Sequence, residues 1–430
     1  MPFAALALSD QLVRATQDLH YQGPTPIQQA AIPAVLAGHD VLACAQTGSG
    51  KTAAFVLPLL QKYQHYRTQI NALDVDSRPK HKSVQTLILV PTRELAVQVA
   101  ETIRGLSKRL PELPKLACVY GGVSINPQMM GLRGGADIVV ATPGRLLDLI
   151  AQNALRINAV QQLVLDEADR LFDLGFSDEL NRILALLPLE RQNLFFSATF
   201  APAVQELAEK LLRKPTRIEI EATPVAAPDI WQRAIEVDEA ARTMLLRHLL
   251  QERGWQRVLV FVATQYAAEH VAKKLKRAGI KAEAFHGSFE QGKRSQVISD
   301  IKASRIQVVV ATDLAARGID IAQLPAVVNY DLPRSSTDYT HRIGRTGRAG
   351  ERGEAVSLIS ADFAAHFKVL EKQLGLKLER ERIAGFEPTE TFSSKAVSLV
   401  ADDHGGIKGK RKSKKDKLRE AAALAAKPLE

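Results

Sequence analysis

Two short strings carry the chemistry of this sequence: Ala45-Gln46-Thr47-Gly48-Ser49-Gly50-Lys51-Thr52 and Asp166-Glu167-Ala168-Asp169. A glycine-rich turn that follows an apolar strand and opens a helix lets backbone N–H groups and a helix N-terminus surround a polyphosphate. Here Val41-Leu42-Ala43-Cys44 precedes the turn and Ala53-Ala54-Phe55-Val56-Leu57 follows it. Lys51 would reach the β- and γ-phosphates as a point charge, and the Thr52 hydroxyl would be a ligand for Mg²⁺. The strict pattern opens on Gly, whereas Ala45 stands here. The second string follows Leu163-Val164-Leu165, and a carboxylate at the carboxyl end of a parallel strand is where a phosphate-loop enzyme holds its metal. Asp166 therefore reads as the metal ligand and Glu167 as the group that polarises and deprotonates water. Acids at a helix N-terminus are also favoured by the macrodipole alone; the neighbouring phosphate loop decides for the metal.

Strands and helices must position these groups. Apolar runs at 41–45, 84–90, 116–120, 137–141, 162–166 and 193–197 are continuous rather than alternating, as in a parallel sheet buried on both faces, and helical patterns lie between them. The fold class is α/β. Ahead of the first strand, Leu8–Leu19 and Ile27–Leu36 read as helices joined by Tyr21-Gln22-Gly23-Pro24-Thr25-Pro26, whose prolines fix a rigid turn. Gln64–Lys82 is polar and reads as an irregular surface excursion.

The second half repeats the first in outline. Thr86-Leu87-Ile88-Leu89-Val90-Pro91-Thr92 matches Val258-Leu259-Val260-Phe261-Val262-Ala263-Thr264, with Thr92 and Thr264 172 residues apart. Ile138-Val139-Val140-Ala141-Thr142 matches Val308-Val309-Val310-Ala311-Thr312, with the two threonines 170 apart. Nearly equal offsets point to duplicated domains. Between them Ile220–Pro228 is rich in Pro and small residues and reads as a linker. Only the first half has a phosphate loop, so a nucleotide would sit there and face the second half across a cleft.

Length and charge agree with this division. At 430 residues the chain exceeds what one core organises, and 46% apolar with 24% charged residues is ordinary for a globular protein. Cys44 and Cys118 lie in apolar runs and suggest neither a disulfide framework nor a metal site, so a reducing compartment fits. The first ten residues lack the basic region and long apolar core of a signal peptide and no run reaches membrane-spanning length, so a cytoplasmic location is expected. The net charge of +10 suggests a polyanionic partner, and the segment from His404 to Glu420 alone carries eight Lys/Arg against two acids. Aromatics make up only 5%, which favours recognition of phosphates and sugars over base stacking.

Further strings complete a pattern: Pro91-Thr92-Arg93-Glu94-Leu95-Ala96, Gly121-Gly122, Thr142-Pro143-Gly144-Arg145 and Ser197-Ala198-Thr199; then Gln291 with Arg294; Ala311-Thr312-Asp313-Leu314-Ala315-Ala316-Arg317-Gly318-Ile319-Asp320; and His341-Arg342-Ile343-Gly344-Arg345-Thr346-Gly347-Arg348. In this order, over roughly residues 3 to 350, the sequence resembles the DEAD-box ATP-dependent RNA helicases of superfamily two. Ala45 is what that family usually shows at the first loop position. The compact core with a short basic tail is similar to the bacterial RhlE-like subgroup.

The resemblance implies two tandem RecA-like parallel-sheet domains joined by a short linker, with a basic C-terminal tail. Their expected bounds are 1–219, linker 220–229, 230–376, and 377–430 for a further linker and tail. It implies ATP and Mg²⁺ as cofactors. Tyr21, Thr25 and Gln28 would form the adenine pocket with Phe3 behind it, Tyr21 stacking on the ring and the Gln28 amide matching its edge. Where the family commonly has Gly before the aromatic, His20 stands here. Ala45, Thr47, Gly48, Ser49, Gly50, Lys51 and Thr52 would hold the phosphates and Asp320 the ribose. Arg345 and Arg348 would reach the triphosphate from the second domain, where guanidinium groups stabilise charge spread over phosphate oxygens. Ser197, Thr199 and His341 would couple the γ-phosphate to the RNA face; for His341 a purely structural role is an equal alternative.

RNA is the implied partner, held without regard to sequence by Arg93, Gly122, Thr142 and Arg145 in the first domain and Thr264, Arg294 and Thr312 in the second. Some of these threonines and arginines would also cap helices. RNP or RNA-decay proteins are further partners to expect, with no membrane partner and a monomeric core. The implied activity is RNA-stimulated ATP hydrolysis coupled to domain closure and local, non-processive unwinding. An ATP-gated RNA clamp or assembly platform, or a DNA-directed motor, are the alternative readings. The tail segment Lys408-Gly409-Lys410-Arg411-Lys412-Ser413-Lys414-Lys415 is a block of like charge that suits salt-sensitive RNA affinity, a nuclear import signal or a solvated tail. Deleting residues 404–430 is predicted to leave core ATPase active and to weaken RNA binding most at low salt; an unchanged salt slope would dissociate the tail from RNA.

Overall fold

The computed structural model of the chain describes residues 2–45, 48–74, 82–199, 202–220, 230–316, 324–347 and 352–389. The first lobe begins with α1 (Asp10–Asp18), α2 (Pro26–Leu36), β1 (Val41–Cys44), α3 (Lys51–Asn71), β2 (Thr86–Leu89), α4 (Arg93–Ser107), β3 (Leu116–Val119) and α5 (Asn126–Gly131). It continues with β4 (Ile138–Ala141), α6 (Pro143–Ala151), β5 (Gln162–Leu165), α7 (Ala168–Asp173), α8 (Ser177–Leu186), β6 (Gln192–Ser197), α9 (Pro202–Leu211) and β7 (Thr216–Glu219). The second lobe contains β8 (Ile230–Glu236), α10 (Arg242–Arg253), β9 (Val258–Val262), α11 (Gln265–Arg277), β10 (Ala282–Phe285), α12 (Gln291–Lys302) and β11 (Val308–Thr312). It ends with α13 (Asp313–Ala316), β12 (Ala326–Asn329), α14 (Ser336–Ile343), β13 (Gly353–Ile359), α15 (Ala364–Leu374) and β14 (Arg380–Glu381).

Each lobe is one seven-stranded parallel sheet between layers of helices, the tandem RecA-like arrangement. The sheet orders are β3-β4-β2-β5-β6-β1-β7 and β10-β11-β9-β12-β13-β8-β14. Position by position these are the same topology, with β9 in the place of β2 and β11 in the place of β4. The two sequence matches therefore mark structurally equivalent strands. Alternate residues of each strand feed opposite cores: Val41, Ala43, Ile88, Val140 and Phe196 pack on one face, and Leu42, Leu87, Leu89, Val139 and Phe195 on the other. That double burial is why the runs are continuously apolar.

Two expectations need correction. The excursion expected from Gln64 to Lys82 starts later, because α3 runs unbroken to Asn71. Its polar second half contains no Gly or Pro to stop it, and Tyr63 stays buried under it. The second lobe does not stop at 376. Residues 377–389 pack on it: β14 pairs in parallel with β8, Ile383 and Phe386 join the core, and Thr389 N–H donates to Asp238 Oδ2 at 2.8 Å. This segment completes the second sheet as β7 completes the first. The linker at 221–229 and the tail from 390 onward lie outside the described residues.

The loop after α2 is locked by Asp40, which is buried at the entry to β1. Its Oδ1 accepts the backbone N–H of Asn193 at 2.7 Å, and its Oδ2 accepts that of Arg213 at 2.8 Å and the Asn193 side-chain amide at 3.3 Å. One carboxylate so joins β1, β6 and the end of α9 and satisfies the buried backbone donor of Asn193 and the part-buried one of Arg213. Replacing Asp40→Ala strands those donors and is predicted to destabilise the first lobe by about 2–4 kcal/mol in denaturant unfolding, with a midpoint unchanged from wild type as the contrary result.

Candidate functional site

The phosphate loop leaves β1 at buried Ala45 and enters α3 through Gly50, whose φ of 95° is open to glycine without strain. A side chain at Gly50 would run into the Thr25 hydroxyl and the Gln28 amide, so the loop and the Tyr21–Gln28 segment are packed against each other. Gln28 makes this tie itself: Oε1 accepts Thr25 N–H at 3.0 Å and Nε2 donates to Gly50 O at 3.1 Å. The sequence expectation had this amide reading the adenine edge; in the structure both of its ends are engaged with the protein. Phe3 packs on Tyr21 with ring centroids 6.2 Å apart, behind the turn as expected. The Thr25 and Ser49 hydroxyls are buried with no hydrogen-bond partner in the protein, and the buried Lys51 ammonium is held only by the carbonyls of Ala45 at 2.5 Å and Ser197 at 3.3 Å among its described contacts. Orphaned hydroxyls, a buried cation and a helix N-terminus in one turn are the donor set that a polyphosphate fits.

Across the loop, β5 delivers Asp166 and Glu167. Asp166 is buried, and that burial, reinforced by Glu167 and opposed by Lys51, pushes its carboxyl up to about 7. Burial also raises Glu167, while Lys51 and Arg345 act to lower it. Glu167 sits at φ 50°, ψ 53°, a left-handed conformation rare and strained for a side-chain-bearing residue, and caps the start of α7. Two carboxylates held close in a dry pocket, with the Thr52 hydroxyl on the first turn of α3, form the hard-oxygen set that suits Mg²⁺. From β6, Ser197 Oγ donates to Thr199 O at 2.8 Å, and Thr199 Oγ1 donates to Asp169 Oδ2 at 3.2 Å. Ser197 and Thr199 thus connect the acid string to the lobe boundary.

The second lobe closes over this face. One cleft is lined by Glu167, Asp169 and Arg170 from the first lobe and by Asp313, His341 and Arg345 from the second. Arg170 approaches Asp338 of the second lobe at 3.7 Å. The His341 Nδ1 is buried without a partner. The neighbouring Arg342 braces the second lobe from within. Its guanidinium binds both Asp313 oxygens at 2.6 Å, Asn329 Oδ1 and Asp331 O, and lies over the Phe261 ring, fixing α14 in place. Thr47, Asp320 and Arg348, expected at this site, lie outside the described residues.

Arg93, Gly122, Thr142, Thr264 and Thr312, expected to touch RNA, lie at or just past the carboxyl ends of strands, on the rim of each sheet. In the first lobe Arg93 Nη1 donates to Gly122 O at 3.5 Å, and any side chain at Gly122 would collide with the Arg93 guanidinium. Thr142 Oγ1 accepts Gly121 N–H at 3.4 Å, and Arg145 Nη2 donates to Val123 O at 2.7 Å. In the second lobe Thr264 caps α11 by accepting Ala267 N–H at 3.0 Å, the counterpart of Thr92 on α4, and Thr312 ends β11. Arg93 Nη2 also reaches Gly287 O of the second lobe at 3.5 Å.

Arg294 departs from expectation. It is buried, and its Nε binds Glu94 Oε1 of the first lobe at 2.6 Å while Nη1 donates to His286 O at 2.8 Å; the two charged side chains are 3% and 6% exposed. Nε thus joins the lobes and Nη1 anchors the side chain in its own lobe, a structural role beside the expected phosphate contact. Glu94, Asp313 and Asp338 were not singled out from the sequence. Glu94 sits inside a quoted string, and an acid flanked by Arg93 and apolar residues was the one available signal.

Comparison with known proteins places this geometry. Residues 25–207 match the DEAD/DEAH box helicase family and residues 241–350 the helicase conserved C-terminal domain. The ATP-dependent RNA helicase DeaD of Mycobacterium tuberculosis is 40% identical over 389 residues, 90% of this chain; the chain spans 66% of that protein's length. The DEAD-box ATP-dependent RNA helicase CshA of Bacillus cereus is 38% identical over 380 residues, which cover 88% of this chain and 69% of the relative. S. cerevisiae Dbp5 bound to RNA and ADP BeF3 is similar over 90% of this chain and 96% of that one, with a TM-score of 0.74 and 31% identity. With both family matches falling on the two lobes whose facing side chains build the cleft, the chain belongs to the DEAD-box ATP-dependent RNA helicases.

Proposed function

We propose that this chain hydrolyses ATP when RNA draws its two lobes together, and that the closure strains and locally opens RNA duplexes. The observation that carries the reading is the cleft itself: Glu167, Asp169 and Arg170 line it from one lobe and His341 and Arg345 from the other, and the charges of Lys51 and Arg345 both act on Glu167. Lys51, Ser49 and the start of α3 would bind the phosphates of ATP. The Glu167 carboxylate would take the proton of the attacking water, and its burial raises the affinity for that proton. Arg345, with Arg348, would stabilise charge on the transferred phosphoryl oxygens; an arginine supplied in this way contributes about 10³–10⁵ in kcat. Asp166 and Thr52 would hold Mg²⁺, which neutralises phosphate charge when bound.

The route from RNA to chemistry runs through the rim. A strand lying on Arg93, Gly122, Thr142 and Arg145 would also meet Thr264 and Thr312, and would favour the apposed lobes by binding both. The Thr199–Asp169 bond and the Arg170–Asp338 pair would carry the coupling, since the first joins β6 to the acid string and the second joins that string to the other lobe. Glycine and hydroxyl contacts of this kind read backbone, in keeping with sequence-independent binding.

Glu167→Gln is predicted to retain ATP and RNA binding while steady-state turnover falls by about 10²–10⁴, the usual worth of a general base; wild-type turnover would remove Glu167 from that role. Glu94→Ala leaves Arg294 buried without its partner whenever the lobes close, at about 3 kcal/mol. The prediction is a rise of about a hundredfold in the RNA concentration that half-saturates ATPase, with ATP binding by the first lobe unchanged. An unaltered RNA dependence would mean that the pair takes no part in closure.

A further inference from the structure

Among the described residues of the second lobe, Tyr266 is the most exposed large apolar side chain, at 77%, and it stands two residues beyond Thr264 in the first turn of α11. Aromatic residues are scarce in this chain, and this one is not needed for the core. At 100° per residue, Tyr266, His270, Lys273 and Arg277 fall within a stripe about 60° wide on the face opposite buried Ala268, Val271 and Leu275. The stripe is about 16 Å long, the span of about five phosphates in a stacked strand. The Tyr266 and His270 rings lie parallel, 17° between planes and 5.7 Å between centroids, and form a flat aromatic step at the end nearest the cleft.

Charge along the stripe has one sign. Glu269, the one acid of α11, turns aside to His286, 3.2 Å from its Nε2, and Lys276 on the flank pairs with Glu283 at 2.5 Å. Lys273 and Arg277 have no ion-pair partner among the described residues. The stripe is also continuous with the rim. The Glu269–His286 contact fastens α11 to the loop whose Gly287 carbonyl receives Arg93 from the other lobe.

We propose that this face of α11 is a second RNA track, resting on the RNA reading above: an unpaired base flanking the stretch held between the lobes stacks on the Tyr266–His270 step, and the following phosphates run along Lys273 and Arg277. Cations and an exposed aromatic aligned on one helix face are the footprint of single-stranded nucleic acid, in which stacking tolerates any base. The track would lengthen the footprint on one side of the cleft and give the enzyme a grip on the strand it has just freed.

The test is equilibrium binding of the full chain, with ADP and beryllium fluoride present, to a short single-stranded RNA that only the cleft can hold and to the same RNA lengthened at either end. Wild-type protein should gain affinity on lengthening at one end. Tyr266→Ala should lose about tenfold of that gain, as expected for one stacked base, while Tyr266→Trp keeps it. Lys273→Ala with Arg277→Ala should lower the salt slope for the long RNA by about 1.4, two phosphates' worth, and leave the short RNA unaffected. No gain on lengthening, equal losses on short and long RNA, or losses seen only with duplex RNA or an acidic peptide would overturn the track. Failure of wild type to bind even the short RNA would instead sink the RNA reading itself.

Discussion

The ion pair between Glu94 and Arg294 sets the geometry on which the rest depends. Each charge belongs to a different lobe, and with the lobes in contact each is almost wholly removed from water. Taking both from water costs nearly what their attraction returns, so such a pair adds little net stability. It adds register instead. Any misalignment leaves an unpaired charge in a dry interface, which costs several kcal/mol, while full separation lets both side chains hydrate again at small cost. The pair therefore favours one way for the lobes to meet and adds little to hold them there.

The groups proposed for catalysis are likewise divided between the lobes. The two sheets have one topology, yet only β1 is followed by a phosphate loop; β8, its counterpart, leads instead into Val237 and Asp238, and Asp238 anchors Thr389. Facing the cleft, the first lobe supplies Glu167, Asp169 and Arg170, and the second supplies Asp313, His341 and Arg345. Arg342 shows how firmly the second set is held, with its fork taken up by Asp313 and Asn329 so that α14 presents His341 and Arg345 to the cleft. Burial of Asp166 and Glu167, together with the left-handed backbone at Glu167, stores a cost in the first lobe that a bound cation and closure would relieve.

Much of this was legible in the sequence because strand burial and phosphate binding impose narrow patterns. Continuous apolar runs gave β1 to β6 to within a few residues, and the spacing of Thr92 and Thr142 from Thr264 and Thr312 found the duplication that the sheet orders bear out. The edge strands β7 and β14 escaped. In β7, Thr-Arg-Ile-Glu, only Ile218 is buried, and β14 is the pair Arg380-Glu381, whose place on the sheet depends on Arg233 holding Glu381 across the strand. The polar half of α3 escaped because Tyr63 is the one residue in it that is buried, which leaves no apolar stripe to read. What local sequence cannot express is pairing across lobes: Arg294 reads as a phosphate donor until Glu94, 200 positions earlier, is found against it. Gln28, read as a base contact, is also seen to tie its segment to the phosphate loop through Gly50, with a second amide N–H left over.

The central claim is that hydrolysis belongs to the apposed lobes alone. Single-molecule energy transfer between one dye on each lobe, followed together with phosphate release in the presence of ATP and RNA, tests it directly. The account predicts phosphate release only from molecules in the high-transfer state, at a rate proportional to the time spent there. Release at the same rate from molecules whose lobes stay apart would contradict it.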